Sequence, residues 1–142
     1  MTEVALIDAG GANLGSVRYA LERLGVQVRL VRDAKGLQGV SRVILPGVGA
    51  APHGMARLHA QDLVQPLRES ALLDGVPERA SAYFVHSYAA PLGEHTVAAC
   101  DHGGLFAAVV QRGLHSGAQF HPERSAATGA RILRNFIENE PS

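Results

Sequence analysis

The sequence predicts a single α/β domain over residues 1–142, with a mainly parallel sheet flanked by helices and followed by a C-terminal antiparallel meander. In the first half, short apolar segments alternate with segments of helical periodicity, which is typical of parallel strands joined by crossover helices. In the second half, four strand-like segments follow one another with glycine turns between some of them, which indicates antiparallel neighbours.

The first half is predicted to contain three strands and two helices. Residues 4–7 are continuously apolar, as in a strand buried on both faces, and 26–31 and 43–45 predict the other strands. The first helix ends before Gly25, and its inner face is Val17, Ala20, Leu21 and Leu24. A second helix is predicted from about 55 to 67, with Met55, Leu58, Val64 and Leu67 as its inner face.

The second half is predicted to hold four more strands and a final helix. The strands are expected at 82–86, 97–100, 106–110 and 114–120, with turns at 103–104 and 112–113. The helix should begin near Ser125 or Thr128, which are suitable capping residues. Its inner face is Ile132, Leu133, Phe136 and Ile137.

Composition excludes several classes of function. The chain has 13 acidic and 13 basic residues and few aromatics, which argues against binding to nucleic acid or to an anionic membrane surface. A single cysteine excludes an internal disulfide, and no Cys/His spacing suggests zinc, so neither a metal nor a cofactor is expected. Without a signal peptide or a membrane-spanning apolar segment, the expected location is the cytoplasm.

The segment from Gly117 to Glu123 is the most informative about chemistry. An apolar strand ends at His121, and Glu123 follows two residues later, so strand alternation places both side chains on one face. A carboxylate beside an imidazole fixes its tautomer and supports its protonated form, as a general base requires. Taken alone, the pair is also typical of a histidine that is merely hydrogen-bonded to a neighbouring acid at a strand end.

Two glycine-rich loops follow predicted strands. The loop from Gly10 to Ser16 opens a helix, where phosphates can dock, but it matches neither the dinucleotide pattern nor a P-loop, and a simple tight turn explains it better. The loop 46–49 could turn backbone N–H groups outward, as an oxyanion hole requires, although a plain turn would have the same composition.

Together these motifs resemble one family, the glutaminase subunit of imidazole glycerol phosphate synthase, among the class I (triad) glutamine amidotransferases. The matching segments are 8–17, 44–50, 83–88 and 119–123 with Ser125, and the resemblance extends from Val4 to about Glu138. It implies hydrolysis of glutamine to glutamate and ammonia, with ammonia passing to a cyclase partner that is a (β/α)₈ barrel, in histidine biosynthesis. The implied assembly is a heterodimer.

The resemblance also implies roles for individual residues. His121 would be the general base and Glu123 its orienting acid. The oxyanion strand would contain Gly47 and Val48, while Gly49, Ser87 and Tyr88 would lie against the bound glutamine. Asn13 and Arg124 would face the cyclase.

One part of the family pattern is absent. Family members carry, between the second helix and the strand at Tyr83, a further strand that ends in a Gly-x-Cys-x-Gly nucleophile elbow. Here the chain is internally truncated near residues 67–72, so one central strand and the catalytic cysteine are predicted to be missing. Cys100 has no elbow context, because His102 follows it where a small residue is needed, and a buried or semi-buried, inert thiol is expected.

Three hypotheses about function follow from these patterns. The chain is a glutaminase subunit by descent whose hydrolytic activity is impaired or lost, a non-catalytic remnant that still binds the cyclase, or a small phosphate-binding α/β domain. Whether it acts as an enzyme depends on the missing nucleophile. The loss of a central strand further predicts either a rearranged sheet or a poorly packed seam near residues 66–80, because unpaired buried backbone groups are costly.

Overall fold

The structure, a computed structural model, describes residues 2–8, 14–47, 59–66, 70–84, 86 and 88–139, and for 59–66 it describes the backbone alone. The chain divides into two compact units, residues 1–50 and 51–142. The prediction of one domain remains a prediction.

The first unit contains a parallel sheet of three strands and one long helix. Its elements are β1 (Glu3–Ile7), α1 (Leu14–Arg23), β2 (Gln27–Val31), a short 3₁₀ helix (Ala34–Leu37) and β3 (Val43–Ile44). The strand order is β2-β1-β3, and β1 pairs in parallel with both neighbours. Val4, Ala5 and Leu6 are fully buried, which confirms the prediction of a strand covered on both faces.

Helix α1 ends in a glycine cap, as the sequence predicts. Gly25 adopts a φ of 78°, its N–H donates to the carbonyl of Glu22, and the N–H of Val26 donates to that of Leu21. These two hydrogen bonds form a Schellman motif and satisfy carbonyls that the helix end would otherwise leave unpaired. The cap turns the chain directly into β2.

The second unit contains an antiparallel sheet of five strands and the C-terminal helix. The elements are β4 (His59–Pro66), a 3₁₀ helix (Ala71–Leu73), β5 (Ala80–Phe84), β6 (Thr96–Asp101), β7 (Leu105–Arg112), β8 (His115–Ala118), a 3₁₀ helix (Pro122–Arg124) and α2 (Ala126–Glu138). The strand order is β5-β4-β6-β7-β8. The consecutive pairs β6–β7 and β7–β8 confirm the predicted meander for its last three strands, and with the parallel sheet they confirm the α/β class. The first predicted strand, β5, is not part of the meander, because β4 lies between β5 and β6.

The predicted helix at 55–67 is wrong for the residues that can be compared. Residues 59–66 form β4, while 55–58 and 67 lie outside the described residues. β4 pairs antiparallel with β5 on one side and with β6 on the other, so both of its backbone edges are hydrogen-bonded. Helical spacing is a weak preference, and tertiary pairing overrides it here because the neighbouring strands would otherwise leave buried backbone groups unpaired.

The segment after the predicted truncation is anchored to helix α2. Leu73 is buried in the core of the second unit, and the side-chain amide of Asn135 donates to the carbonyls of Leu72 (3.0 Å) and Asp74 (2.7 Å). Arg131 donates a further hydrogen bond to the Asp74 carbonyl. Of the two predicted consequences, the incorporation of β4 is consistent with a rearranged sheet. The poorly packed seam near residues 66–80 remains a prediction, and 67–69 lie outside the described residues.

An aromatic cluster fills the centre of this core. The ring of Phe84 is fully buried and makes edge-to-face contacts with Phe106, Phe120 and His86, at centroid distances of 5.4, 5.5 and 5.7 Å. On α2, Ile132, Leu133 and Ile137 are buried as predicted, whereas Phe136 is only partly buried. The packing holds α2 and β5 together beside the candidate site.

Candidate active site

The backbone of His121 is fixed against strand β5. Strand β8 ends at Ala118, two residues earlier than predicted, and His121 instead donates its N–H to the carbonyl of Tyr83 (2.9 Å). Pro122 then begins the 3₁₀ helix, a position where its missing N–H costs nothing. The expectation that His121 and Glu123 share one strand face is therefore wrong, because a helical turn follows His121.

The turn nevertheless brings the two side chains together. Nδ1 of His121 lies 2.9 Å from Oε1 of Glu123. The Glu123 side chain is only 3% exposed, whereas that of His121 is 27% exposed. Because an ionised carboxylate only accepts hydrogen bonds, this contact puts the hydrogen of a neutral imidazole on Nδ1 and leaves Nε2 as the basic atom. The pair thus has the arrangement of an oriented base.

Tyr83 and Arg124 surround this pair. The Tyr83 and His121 rings meet edge to face at 6.1 Å, and the Arg124 guanidinium carbon lies 5.8 Å from the centre of the Tyr83 ring. The latter distance is within the range of a cation–π contact. The Arg124 side chain is otherwise exposed, as expected for a residue that could face a partner.

Ser125 is the site residue whose importance the sequence analysis missed. The sequence predicts it as a possible helix cap and as part of the motif that matches the family, yet its side chain makes no capping hydrogen bond. Its hydroxyl donates to the carbonyl of His121 (2.7 Å) and accepts the N–H of Tyr83 (3.0 Å). Spacing from His121 did not reveal this role, because it depends on β5 lying beside the turn.

Cys100 does not have the geometry of a nucleophile. It lies within β6, is fully buried, and belongs to the core cluster that contains Phe84 and Phe106. It pairs with Val64 of β4 and with Phe106 of β7, and a hairpin turn follows, rather than a helix. A nucleophile elbow holds its side chain clear at a strand-to-helix turn, so Cys100 fits the predicted inert thiol.

The other predicted site residues are only partly described. Gly47 is exposed after β3 in the first unit, whereas Val48, Gly49, Ser87 and Asn13 lie outside the described residues, as does most of the Gly10–Ser16 loop. Tyr88 is 84% exposed, and its carbonyl lies 2.8 Å from Nδ1 of His86. The oxyanion, glutamine-binding and partner-binding roles of these residues remain predictions.

No group of three or more potential metal ligands occurs within the part of the chain that the structure describes. Over the same residues, no helix combines the length and apolar character needed to cross a membrane.

Comparison with known proteins identifies the family. The model of the family "Glutamine amidotransferase class-I" matches residues 55–139, more than half of the chain. The chain belongs to the class-I glutamine amidotransferases. This confirms the resemblance inferred from the motifs.

Curated relatives narrow the assignment. The chain is 58% identical to imidazole glycerol phosphate synthase subunit HisH of Xanthomonas axonopodis pv. citri (strain 306), with 97% of this chain and 98% of the relative covered. The corresponding subunit of Xylella fastidiosa (strain 9a5c) is 53% identical over the same shares. The chain therefore belongs to the HisH subunits within the larger amidotransferase family.

The alignment to these relatives is longer than the chain itself. It spans 196 positions, whereas the chain has 142 residues. The internal truncation stays a prediction, as does its location near residues 67–72.

Solved structures support the fold alone. A putative GMP synthase component from Thermoplasma acidophilum superposes with a TM-score of 0.74 at 19% identity, covering 96% of this chain and 92% of the other. A glutamine amidotransferase superposes with a TM-score of 0.60 at 18% identity, covering 95% of this chain and 97% of the other. The chain thus has the fold of these amidotransferase-type structures.

Proposed function

We propose that this chain is the amidotransferase subunit of an imidazole glycerol phosphate synthase that keeps its base and orienting acid but does not hydrolyse glutamine by itself. The observation that carries the proposal is the burial of Cys100, the single cysteine, inside β6. The family reaction begins with a thiolate that attacks the glutamine side-chain amide, and a sulfur buried in the core has no access to that substrate.

The retained half of the site supports descent from an active enzyme. His121 and Glu123 keep a 2.9 Å contact with the carboxylate nearly buried, which is the support that a general base needs. We expect this base not to start the glutaminase reaction, because the one thiol of the sequence, Cys100, is buried in β6. Loss of one triad member typically lowers the rate by about four orders of magnitude or more.

A glutaminase assay tests the proposal. The chain is mixed with glutamine and the cyclase subunit of its own organism, and glutamate release is compared with that of the intact Xanthomonas axonopodis relative and its own cyclase. We expect glutamate release by this chain to be at least about 10⁴-fold slower than release by the relative. A His121→Ala variant of this chain should release glutamate at the same slow rate. Turnover close to that of the relative, and abolished by His121→Ala, would contradict the proposal.

Binding to the cyclase without catalysis is the second candidate function. It is favoured by Arg124, whose exposed side chain is held beside Tyr83 at the edge of the candidate site. A fixed guanidinium is a suitable partner for a carboxylate on another protein. The expected partner is the cyclase subunit, in a heterodimer in the cytoplasm, where it would take part in histidine biosynthesis.

Titration calorimetry with the purified cyclase tests this second function. We expect binding at micromolar concentrations, and about tenfold weaker binding for Arg124→Ala, which corresponds to about 1.4 kcal/mol. Arg112→Ala, which removes an exposed arginine at the end of β7, is the matched control and should leave affinity unchanged. No detectable heat with the wild-type chain would exclude the docking role.

A further inference from the structure

The hydroxyl of Ser125 connects the candidate base to the sheet. It donates to the carbonyl of His121 at 2.7 Å and accepts the N–H of Tyr83 at 3.0 Å. Ser125 is only 5% exposed, so water has little access to replace either hydrogen bond. One buried side chain therefore ties the residue that carries the imidazole to strand β5.

Because the Ser125 hydroxyl binds His121 and Tyr83, it does not cap helix α2. Ser125 occupies the N-cap position, where a serine side chain normally accepts a backbone N–H from the first turn. Here no such hydrogen bond is formed, and only the Ser125 carbonyl serves the helix, by accepting the N–H of Gly129 (3.1 Å). The Ser125 side chain forms hydrogen bonds with His121 and Tyr83 instead.

Gly129 provides an independent sign that the turn after His121 is held in one position. A Cβ atom built at Gly129 would overlap the backbone carbonyl of Pro122. Helix α2 can therefore approach the Pro122–Arg124 turn this closely only with glycine at that position. The turn carries Glu123, so this contact and the Ser125 hydrogen bonds restrain the two halves of the acid–base pair.

We propose that Ser125 is a positioning residue that holds His121 in the orientation at which Nδ1 meets Glu123. It acts through the backbone of His121 and does not touch the reacting atoms. The His121 N–H donates to the Tyr83 carbonyl, and the Ser125 hydroxyl adds a second attachment between His121 and β5. The inference rests on the proposed role of His121 as a retained base.

The test measures the tautomer of His121 by ¹⁵N NMR at a pH where the ring is neutral. In the wild-type chain we expect hydrogen on Nδ1. In Ser125→Ala we expect a mixture of tautomers, together with about tenfold faster amide hydrogen exchange at Tyr83, because its N–H loses its acceptor. Ser125→Thr keeps a hydroxyl and should resemble the wild type, as should Ser81→Ala, which removes an exposed hydroxyl from the same strand.

The outcomes distinguish the positioning role of Ser125 from the proposed role of His121 as a retained base. An unchanged tautomer and unchanged Tyr83 exchange in a folded Ser125→Ala variant would overturn the positioning role. Where Ser125→Ala does not fold, Ser125→Thr decides: wild-type values support the role, and loss of the Nδ1 hydrogen in the folded variant overturns it. A wild-type His121 without hydrogen on Nδ1 would instead count against its role as a retained base, and so against the proposed function.

Discussion

Nδ1 of His121 lies 2.9 Å from Oε1 of Glu123, and the carboxylate is almost completely buried while the imidazole keeps some access to solvent. A base needs this asymmetry, because its supporting acid should stay out of water and its reactive nitrogen should be reachable. His121 and Glu123 thus have the arrangement that a general base and its orienting acid require.

Replacing Glu123 by glutamine should reverse the tautomer of His121. A carboxylate accepts the hydrogen of Nδ1, whereas a glutamine side chain can donate its own N–H to that atom and so move the ring hydrogen to Nε2. We expect ¹⁵N NMR to show hydrogen on Nε2 in Glu123→Gln and on Nδ1 in the wild-type chain.

A second His/Glu pair provides the control for this prediction. Glu94 is 86% exposed and lies 3.4 Å from Nε2 of His95, so Glu94→Gln should leave the His121 signals unchanged. Hydrogen that stays on Nδ1 of His121 in Glu123→Gln would show that the carboxylate does not determine the tautomer.

Replacing Asn135 by alanine should loosen the segment that follows the predicted truncation. The side-chain amide of Asn135 donates to the carbonyls of Leu72 and Asp74, and the residue is only 7% exposed. Removing these donors should lower the free energy of unfolding by about 1–3 kcal/mol, because the Leu72 and Asp74 carbonyls lose hydrogen bonds in a partly buried site. Urea unfolding measures the change.

Asn139→Ala is the matched control for this second prediction. The Asn139 side chain donates to the Ala71 carbonyl at an exposed position. Asn139→Ala should therefore lower the free energy of unfolding less than Asn135→Ala does, by about 0.5–1 kcal/mol. Equal losses in the two variants would mean that burial of the Asn135 contacts adds nothing to their strength.

Replacing Gly25 by alanine should destabilise the end of α1 through the backbone alone. No atom lies within 4 Å of the Cβ that would be added, but the φ of 78° is unfavourable for a residue with a side chain. We expect a loss of about 1 kcal/mol in urea unfolding.

Gly93→Ala separates backbone strain from the addition of a methyl group. Gly93 also has open space around its added Cβ, but its φ is outside the positive range, so this variant should unfold like the wild type within about 0.5 kcal/mol. A Gly25→Ala variant as stable as Gly93→Ala would contradict the role assigned to the glycine cap.

The sequence predicts those elements whose conformation is determined by residues close together in the chain. β1 is a continuous apolar segment, and α1 has an apolar stripe that ends at Gly25, so both could be predicted from residues close together in the chain. The meander was predictable for the same reason, because Gly103, Gly104 and Gly113 adopt positive φ angles in its turns.

Prediction fails where a distant segment decides the conformation. Residues 59–66 belong to the segment 55–67 for which a helix is predicted, yet they form a strand that pairs with β5 over 59–64 and with β6 over 64–66. The use of Ser125 also depends on Tyr83, which lies 42 residues earlier in the chain. The pairing of His121 with Glu123 was predicted from strand alternation, but a helical turn produces it.

Alkylation of Cys100 in the native chain tests most directly whether a usable nucleophile is absent. The chain is treated at neutral pH with a chloroketone analogue of glutamine, and labelling is followed by mass spectrometry with and without denaturant, in the wild type and in His121→Ala. We predict no labelling of the folded chain, the same result in His121→Ala, and complete labelling after unfolding. Rapid labelling of Cys100 in the folded wild-type chain that disappears in His121→Ala would contradict the account.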